Sequence, residues 1–248
     1  MASAKEHYSD LLARHYSWMF GLGFAEKVVE QKSVLEPLLA PIPAADRAVA
    51  VDLGCGPGFQ AVALAELGFS RVLALDTSPE LLAELTTHAG ELPVEAHEMD
   101  LTTFPQLLTG EHASAIVCMG DTLTHLAGRD HVSRLFRDAW SSLKPGGVLI
   151  LSYRDLSPEL TGLDRFFPVR STGERIMTCF VEYDQPESVM VHDLVHSRED
   201  AGWTFARSSY RKLRLPVAWI MEELATAGFV DVQQGAAGRL LRVSARRP

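Results

Sequence analysis

No apolar run in this 248-residue chain approaches the ~18 residues that a membrane-crossing helix needs, although 47% of its residues are hydrophobic. No membrane span is expected. The stretch Met1-Ala2-Ser3-Ala4-Lys5-Glu6-His7 lacks the apolar centre of a secretory signal. Cysteine is scarce: Cys55, Cys118 and Cys179 stand far apart and form no C-x-x-C pair. The expectation is a reducing, cytoplasmic compartment without structural zinc. Nine histidines contain no H-E-x-x-H spacing, so no metal is expected. Lys and Arg number 23 against 32 Asp and Glu, a net charge of −9. That balance argues against general affinity for nucleic-acid backbones, which needs basic patches, while leaving room for a local basic channel. Internal repeats, low-complexity tracts and long linkers are missing as well. The length suits one α/β domain with an elaboration, large enough to bury a sizeable core.

What the chain does have is Val51-Asp52-Leu53-Gly54-Cys55-Gly56-Pro57-Gly58-Phe59. An apolar run from Ala48 to Val51 enters it as a buried strand would, and a helical pattern from Phe59 to Leu67 leaves it. Glycine at every second position permits a tight turn and close approach of a ligand to the backbone. Strand, Gly-rich turn and helix N-terminus together make a nucleotide site in open α/β sheets. The dinucleotide fingerprint G-x-G-x-x-G is broken, because Phe59 occupies the position of its third glycine. Asp52, just before the glycines, would repel a pyrophosphate; it suits a ligand carrying a cation, such as an amino-acid ammonium. The next strand, Arg71-Val72-Leu73-Ala74-Leu75-Asp76, ends in a carboxylate placed to accept hydrogen bonds from a ribose diol. Ribose plus ammonium points to S-adenosylmethionine (SAM). A Gly-rich turn in some other α/β domain is the competing reading.

D-L-G-C-G-P-G followed by Asp76 resembles the cofactor site of class I SAM-dependent methyltransferases. The resemblance implies a Rossmann-like seven-stranded α/β sheet with its last strand antiparallel. It also implies a cofactor site of Asp52, Gly54, Cys55, Gly56, Gly58, Asp76 and Thr77, joined by residues at two later strand tips. Val94 to Met99 reads as the third strand, with Met99, Asp100 and Leu101 at its tip, where the family brackets adenine. Asp100 can serve equally as N-cap of a short helix, Thr102 to Leu107. Ala113 to Met119 is apolar throughout, as a central parallel strand should be. It brings Cys118, Met119 and Gly120 to the cofactor.

That strand runs into Gly120-Asp121-Thr122-Leu123-Thr124-His125-Leu126. Ligands of a doubly wound sheet sit beyond the carboxyl ends of the strands at the switch point, so Asp121 and His125 emerge beside the reacting centre. A helix near Asp130 to Leu143, the turn Lys144-Pro145-Gly146-Gly147 and a strand Val148 to Tyr153 follow, then Arg154-Asp155. The runs C-M-G-D-T-L-T-H-L and L-K-P-G-G-V-L-I-L-S-Y-R-D are similar to glycine N-methyltransferases in particular. That likeness implies that Arg154 holds a substrate carboxylate, for which a planar guanidinium is suited. An ion pair with Asp121 or Asp155 would serve structure instead. The subfamily has asparagine where Asp121 stands, which favours a cationic or differently placed acceptor over glycine itself.

Before the sheet, Tyr8, Tyr16 and Trp18 lie on an aromatic-rich helix ending near Gly21 to Gly23, and a second helix covers about Ala25 to Leu39. Such an extension often forms a lid in the family; the same aromatics could simply pack the helix. Residues 160–215 read as three inserted antiparallel strands, Arg175 to Tyr183, Ser188 to Ser197 and Trp203 to Leu213. The resemblance makes them a wall over the substrate pocket, with Tyr153 near the acceptor. His192 and His196 read as part of a solvated face rather than a metal pair. The chain closes with a helix, Pro216 to Ala227, and a hairpin whose turn is Gly235 to Gly238. The expected organisation is a lid over 1–45, a SAM-binding core over 46–159, an insertion over 160–215 and a closing helix and hairpin over 216–248.

The expected activity is methyl transfer from SAM, leaving S-adenosylhomocysteine, to a small molecule, with an amine the favoured acceptor and a carboxylate nearby. Asp121 would orient the acceptor; His125 would act as a base or a structural group. No G-x-S-x-G nucleophile motif competes. Oxygen, sulfur or carbon acceptors use the same frame, since fold does not fix substrate. A SAM-binding sensor without transferase activity is a further alternative. A nucleic-acid methyltransferase is disfavoured, because G-D-T-L stands where an N/D-P-P-Y/F-type motif would be. The small-molecule reading is compatible with a homo-oligomer.

Overall fold

The computed structural model describes residues 11–248. Tyr8 lies outside the described residues. The chain forms two compact units, one of residues 23–155 with 215–248, the other of residues 11–22 with 156–214.

The larger unit is built on a seven-stranded sheet ordered β10-β11-β5-β4-β1-β2-β3. The strands are β1 (Val49–Leu53), β2 (Arg71–Asp76), β3 (Val94–Glu98), β4 (Ala113–Cys118), β5 (Leu143–Tyr153), β10 (Val230–Ala237) and β11 (Leu240–Arg246). β1 pairs in parallel with β2 and β4, and β4 in parallel with β5. β11 runs antiparallel to both β5 and β10. Every residue of β1 and of β4 is buried, because helices cover both faces of a parallel sheet. The sheet reverses its order between β1 and β4, so the cleft above their carboxyl ends is the natural ligand position.

Among the covering helices are α2 (Phe24–Leu39), α3 (Phe59–Glu66), α4 (Pro79–Ala89), α6 (Arg129–Ser142) and α7 (Val217–Thr226); α1 (Ala13–Met19) belongs to the other unit and α5 is the short Pro105–Leu108. Helical spacing puts Val28, Gln31, Leu35 and Leu39 on the buried side of α2, where the three apolar ones join Ala61, Leu64 and Leu85 in one cluster. α4 starts where the sequence says it should: Ser78 caps it by accepting from the Leu81 amide at 3.4 Å, and Pro79 is its first residue. Beside Asp100, the expected single helix is instead a 3-10 turn, Leu101–Thr103, followed by α5.

The smaller unit holds a four-stranded antiparallel sheet ordered β6-β7-β8-β9. Its strands are β6 (Phe166–Ser171), β7 (Arg175–Glu182), β8 (Ser188–Glu199) and β9 (Gly202–Leu213). Four strands replace the three read from sequence. The extra one, β6, contains Pro168, which marks it as non-strand in a linear reading; it is an edge strand with a register shift between Pro168 and Arg170, where proline is tolerated. α1 belongs with this sheet: the Trp18 ring has the guanidinium carbons of Arg170 and Arg175 each 5.0 Å from its centroid, and Arg170 donates to the Trp18 carbonyl. The terminal hairpin also differs from its reading. Its strands stay paired to Ala237 and Leu240, so the turn is Gly238-Arg239 rather than Gly235 to Gly238. No helix among the described residues is long and apolar enough to cross a membrane.

Phe136 on α6 is fully buried. Phe136→Ala should lower the unfolding free energy by about 3–5 kcal/mol in urea titrations, as large-to-small core changes do. A loss below about 1 kcal/mol would contradict this packing.

Candidate active site

The site begins with a carboxyl that water cannot reach. Asp52, on β1, is 1% exposed, and its Oδ2 accepts no hydrogen bond from any described residue. Burial pushes its carboxyl up to about 8, and the neighbouring Asp76 charge pushes in the same direction; the Ala61 amide in the first turn of α3 acts against both. A carboxylate in that position gains a great deal from a cation placed beside it.

The glycine loop is held from the β2 side. The amides of Gly54 and Cys55 both donate to the Leu75 carbonyl at 2.8 Å, and the Gly56 amide donates to Asp76 Oδ2 at 2.8 Å. Gly54 and Gly58 have φ of +72° and +97°, conformations that favour glycine. Neither has room for a side chain: a Cβ on Gly54 would overlap the Thr122 methyl, and one on Gly58 would overlap Leu85. The loop leads straight into α3, leaving amide donors of the helix start beside it. Cys55 is buried, and its thiol is pushed well above its ordinary range by that burial and by the charges of Asp52 and Asp76.

Asp76 has each oxygen anchored. Oδ2 takes the Gly56 amide and Oδ1 the Ser78 amide at 2.9 Å, and the Thr77 amide also favours its charged form. Burial outweighs these amides and raises its pKa above the usual carboxylate value. Each oxygen keeps lone-pair capacity for hydroxyl donors. The Met99 amide donates to the Asp76 carbonyl at 3.0 Å, tying the β3 tip to the β2 tip. Asp100 is exposed and caps the following turn, its Oδ1 accepting from the Thr102 amide at 2.8 Å and the Thr102 hydroxyl at 2.6 Å. Leu101 is half-buried beside it.

On the other side of β1, Cys118 and Met119 are buried at the end of β4, and Gly120 is exposed. Asp121 follows with φ +83°, unusual for a residue with a side chain and therefore held by its surroundings. The Gly120 amide donates to Ser152 Oγ at 3.0 Å, and the Asp121 amide donates to the Ser152 carbonyl at 3.1 Å. Asp121 Oδ1 accepts from the Arg154 amide at 3.0 Å and from Thr124 Oγ1 at 3.2 Å. Arg154 thus meets Asp121 through its backbone. His125 ends the 3-10 turn Thr122–His125 and is half-buried. Tyr153 is fully buried at the end of β5, and its hydroxyl has no hydrogen-bond partner among the described residues. Its pKa is raised by burial and by the Asp155 charge.

The sequence-derived residues from Asp52 to Arg154 therefore share the carboxyl-end side of one sheet, on the tips of β1 to β5. Tyr16 and Trp18 belong to the smaller unit, where Tyr16 meets Phe20 edge-on at 5.2 Å. Thr122 and Ser152 escaped the sequence reading. A serine inside an apolar strand and a threonine in a turn carry no local signal, and their partners lie far away in sequence.

A methyltransferase-domain family model matches residues 50–147, the stretch from β1 to the turn inside β5. Over that stretch the chain is similar to methyltransferases, and its sheet has the fold of class I SAM-dependent methyltransferases. It is 32% identical over 108 residues to a glycine/sarcosine N-methyltransferase of Halorhodospira halochloris, covering 42% of this chain and 39% of that protein. The chain spans about two fifths of the length of that relative and of a second such enzyme from Parasynechococcus marenigrum. Solved structures match over nearly the whole chain. The CcbJ methyltransferase of Streptomyces caelestis superposes with a TM-score of 0.75 at 22% identity, covering 98% of both chains. A sugar N-methyltransferase, KedS8 of a Streptoalloteichus species, gives 0.70 at 21% identity, covering 97% of this chain and 93% of that one. At such identity these structures attest the fold.

Asp52 yields a signed prediction about pH. A carboxyl whose folded pKa lies above its unfolded value contributes stability that is fully present below about pH 4 and is lost as pH rises through about 8. Thermal midpoints of the ligand-free protein should carry that downward contribution between pH 5 and 8, and Asp52→Asn should remove it. Identical pH slopes in the two proteins would contradict the buried-charge assignment.

Proposed function

We propose that this protein transfers a methyl group from SAM to the nitrogen of a small-molecule amine. The observation that carries the cofactor half is the buried Asp52 oxygen with no partner beside the glycine loop, with the anchored Asp76 carboxylate on the adjacent strand. In this reading Asp52 faces the cofactor ammonium, the loop backbone from Gly54 to Gly58 lies along its amino-acid part, and Asp76 takes the ribose hydroxyls. Met99, Asp100 and Leu101 border the adenine, and Cys118, Met119 and Gly120 line the approach to the reacting end. SAM supplies an electrophilic methyl on a sulfonium whose thioether departs neutral.

The acceptor half rests on Asp121. As the nitrogen lone pair forms the new N–C bond, the C–S electrons return to sulfur and positive charge passes to nitrogen. An anionic side chain beside that nitrogen stabilises the charge as it develops. Beside a phenolate or thiolate the same carboxylate would repel the nucleophile. Arg154 is placed by this account at the rim of the acceptor position, where its guanidinium would meet a carboxylate or other anionic substituent. The excess proton leaves nitrogen through solvent or through His125. Holding acceptor and methyl in line, rather than acid catalysis, is the main work, and positioning alone can supply about 7–11 kcal/mol.

The glycine/sarcosine relatives favour amino-acid amines, and the sugar N-methyltransferase favours amino sugars, each by what those proteins act on. Asp121 is compatible with both. The acidic composition supports a small-molecule acceptor and disfavours nucleic acid.

Release of S-adenosylhomocysteine should be measured across amino acids, amino sugars, other amines, phenols and thiols. Turnover with amines is expected, and Asp121→Asn should lower kcat. Turnover confined to phenols or thiols would overturn the nitrogen assignment. Separately, Asp76→Ala should weaken SAM binding by about 10–100-fold in calorimetry, the worth of hydrogen bonds to a charged group. Unchanged affinity would remove Asp76 from the cofactor site.

A further inference from the structure

Between the glycine loop and the Asp121 turn stands one side chain that touches both. The Thr122 hydroxyl lies 3.0 Å from the Met119 carbonyl and 3.3 Å from the Gly54 carbonyl, 68 residues away in sequence. Its methyl packs against the Gly54 α-carbon so closely that any Cβ there would overlap it. The loop cannot shift toward Thr122 without pushing it, and a shift away breaks the longer arm of a hydroxyl donor shared between the Gly54 and Met119 carbonyls. Thr122 is also covalently next to Asp121, whose left-handed backbone and carboxylate are fixed on the opposite side by Ser152 and the Arg154 amide. Contact and covalent neighbourhood thus join the tips of β1, β4 and β5 in a line.

We infer that Thr122 is a positioning residue: it transmits the posture of the glycine loop to the Asp121 carboxylate, so that filling the cofactor site sets the acceptor-orienting group. The inference rests on the cofactor reading given above. The hydroxyl supplies the link to the Gly54 carbonyl, which serine would keep and valine would lose. Because β5 holds the far end of the Asp121 turn, a shift at Gly54 reaches Asp121 as a change in how its Oδ1 meets the Arg154 amide. That amide is a reporter that needs no methyl acceptor.

The test follows the Gly56 and Arg154 amide resonances in the isotope-labelled full chain as S-adenosylhomocysteine is added. Both should move in the wild type, Gly56 because it lies in the loop and Arg154 through Thr122. Thr122→Ser should retain the Arg154 response, whereas Thr122→Val should keep the Gly56 response and lose most of the Arg154 shift. A full Arg154 response in Thr122→Val would overturn the inference. The wild type alone can also overturn it: movement at Gly56 with none at Arg154 removes the coupling and leaves the cofactor reading intact. No movement at either amide removes both. The wild-type arm keeps the test decisive even if a variant fails to fold.

Discussion

A desolvated carboxylate at the end of a buried parallel strand is the constraint around which this site is arranged. Asp52 sits where every neighbour on its strand is apolar and buried, beside a second carboxylate on the next strand. Without a cation the protein bears the cost of that burial, either as a protonated acid or as an isolated charge. The surrounding fold makes the cost tolerable: a large apolar cluster under α2, α3 and α4 supports the strand, and the helix start of α3 offers amides nearby. Such an arrangement stores binding preference. It rewards a ligand that brings positive charge to the loop and penalises a phosphate.

The second principle is lateral stitching. The carboxyl ends of β2, β1, β4 and β5 are joined by side-chain and backbone hydrogen bonds that are not ladder bonds. Leu75 and Asp76 hold the glycine loop, Thr122 reaches Gly54, and Ser152 and the Arg154 amide hold the Asp121 turn. Gly54, Gly58 and Asp121, three of the positions with positive φ, lie along this line. Backbone of this kind, fixed by neighbours on either side, would lower the ordering cost of binding a ligand there.

Much of this was legible in the sequence, and the reason is local. The strand, the alternating glycines and the next strand's terminal Asp76 encode their geometry within some 25 residues, so spacing alone exposes them. Hydrophobic runs without alternation marked β1 as a buried strand and β4 as a central one for the same reason. What escaped notice depends on long-range register. Thr122 matters because of Gly54, and Ser152 because of Gly120, contacts that no local pattern announces. β6 was hidden by Pro168, whose meaning reverses once the strand is known to be an edge. The grouping of α1 with the inserted sheet was likewise out of reach, since Trp18 meets arginines about 150 residues downstream.

The central claim is that Asp52 waits, largely protonated near neutral pH, for the cation of its ligand. Titration calorimetry of S-adenosylhomocysteine binding at pH 7, repeated in buffers of different ionisation enthalpy, counts protons directly. With a carboxyl at about 8 in the free protein, binding should release close to one proton, and Asp52→Asn should abolish the release. Binding without proton release, or with equal release in the Asp52→Asn protein, would contradict the account.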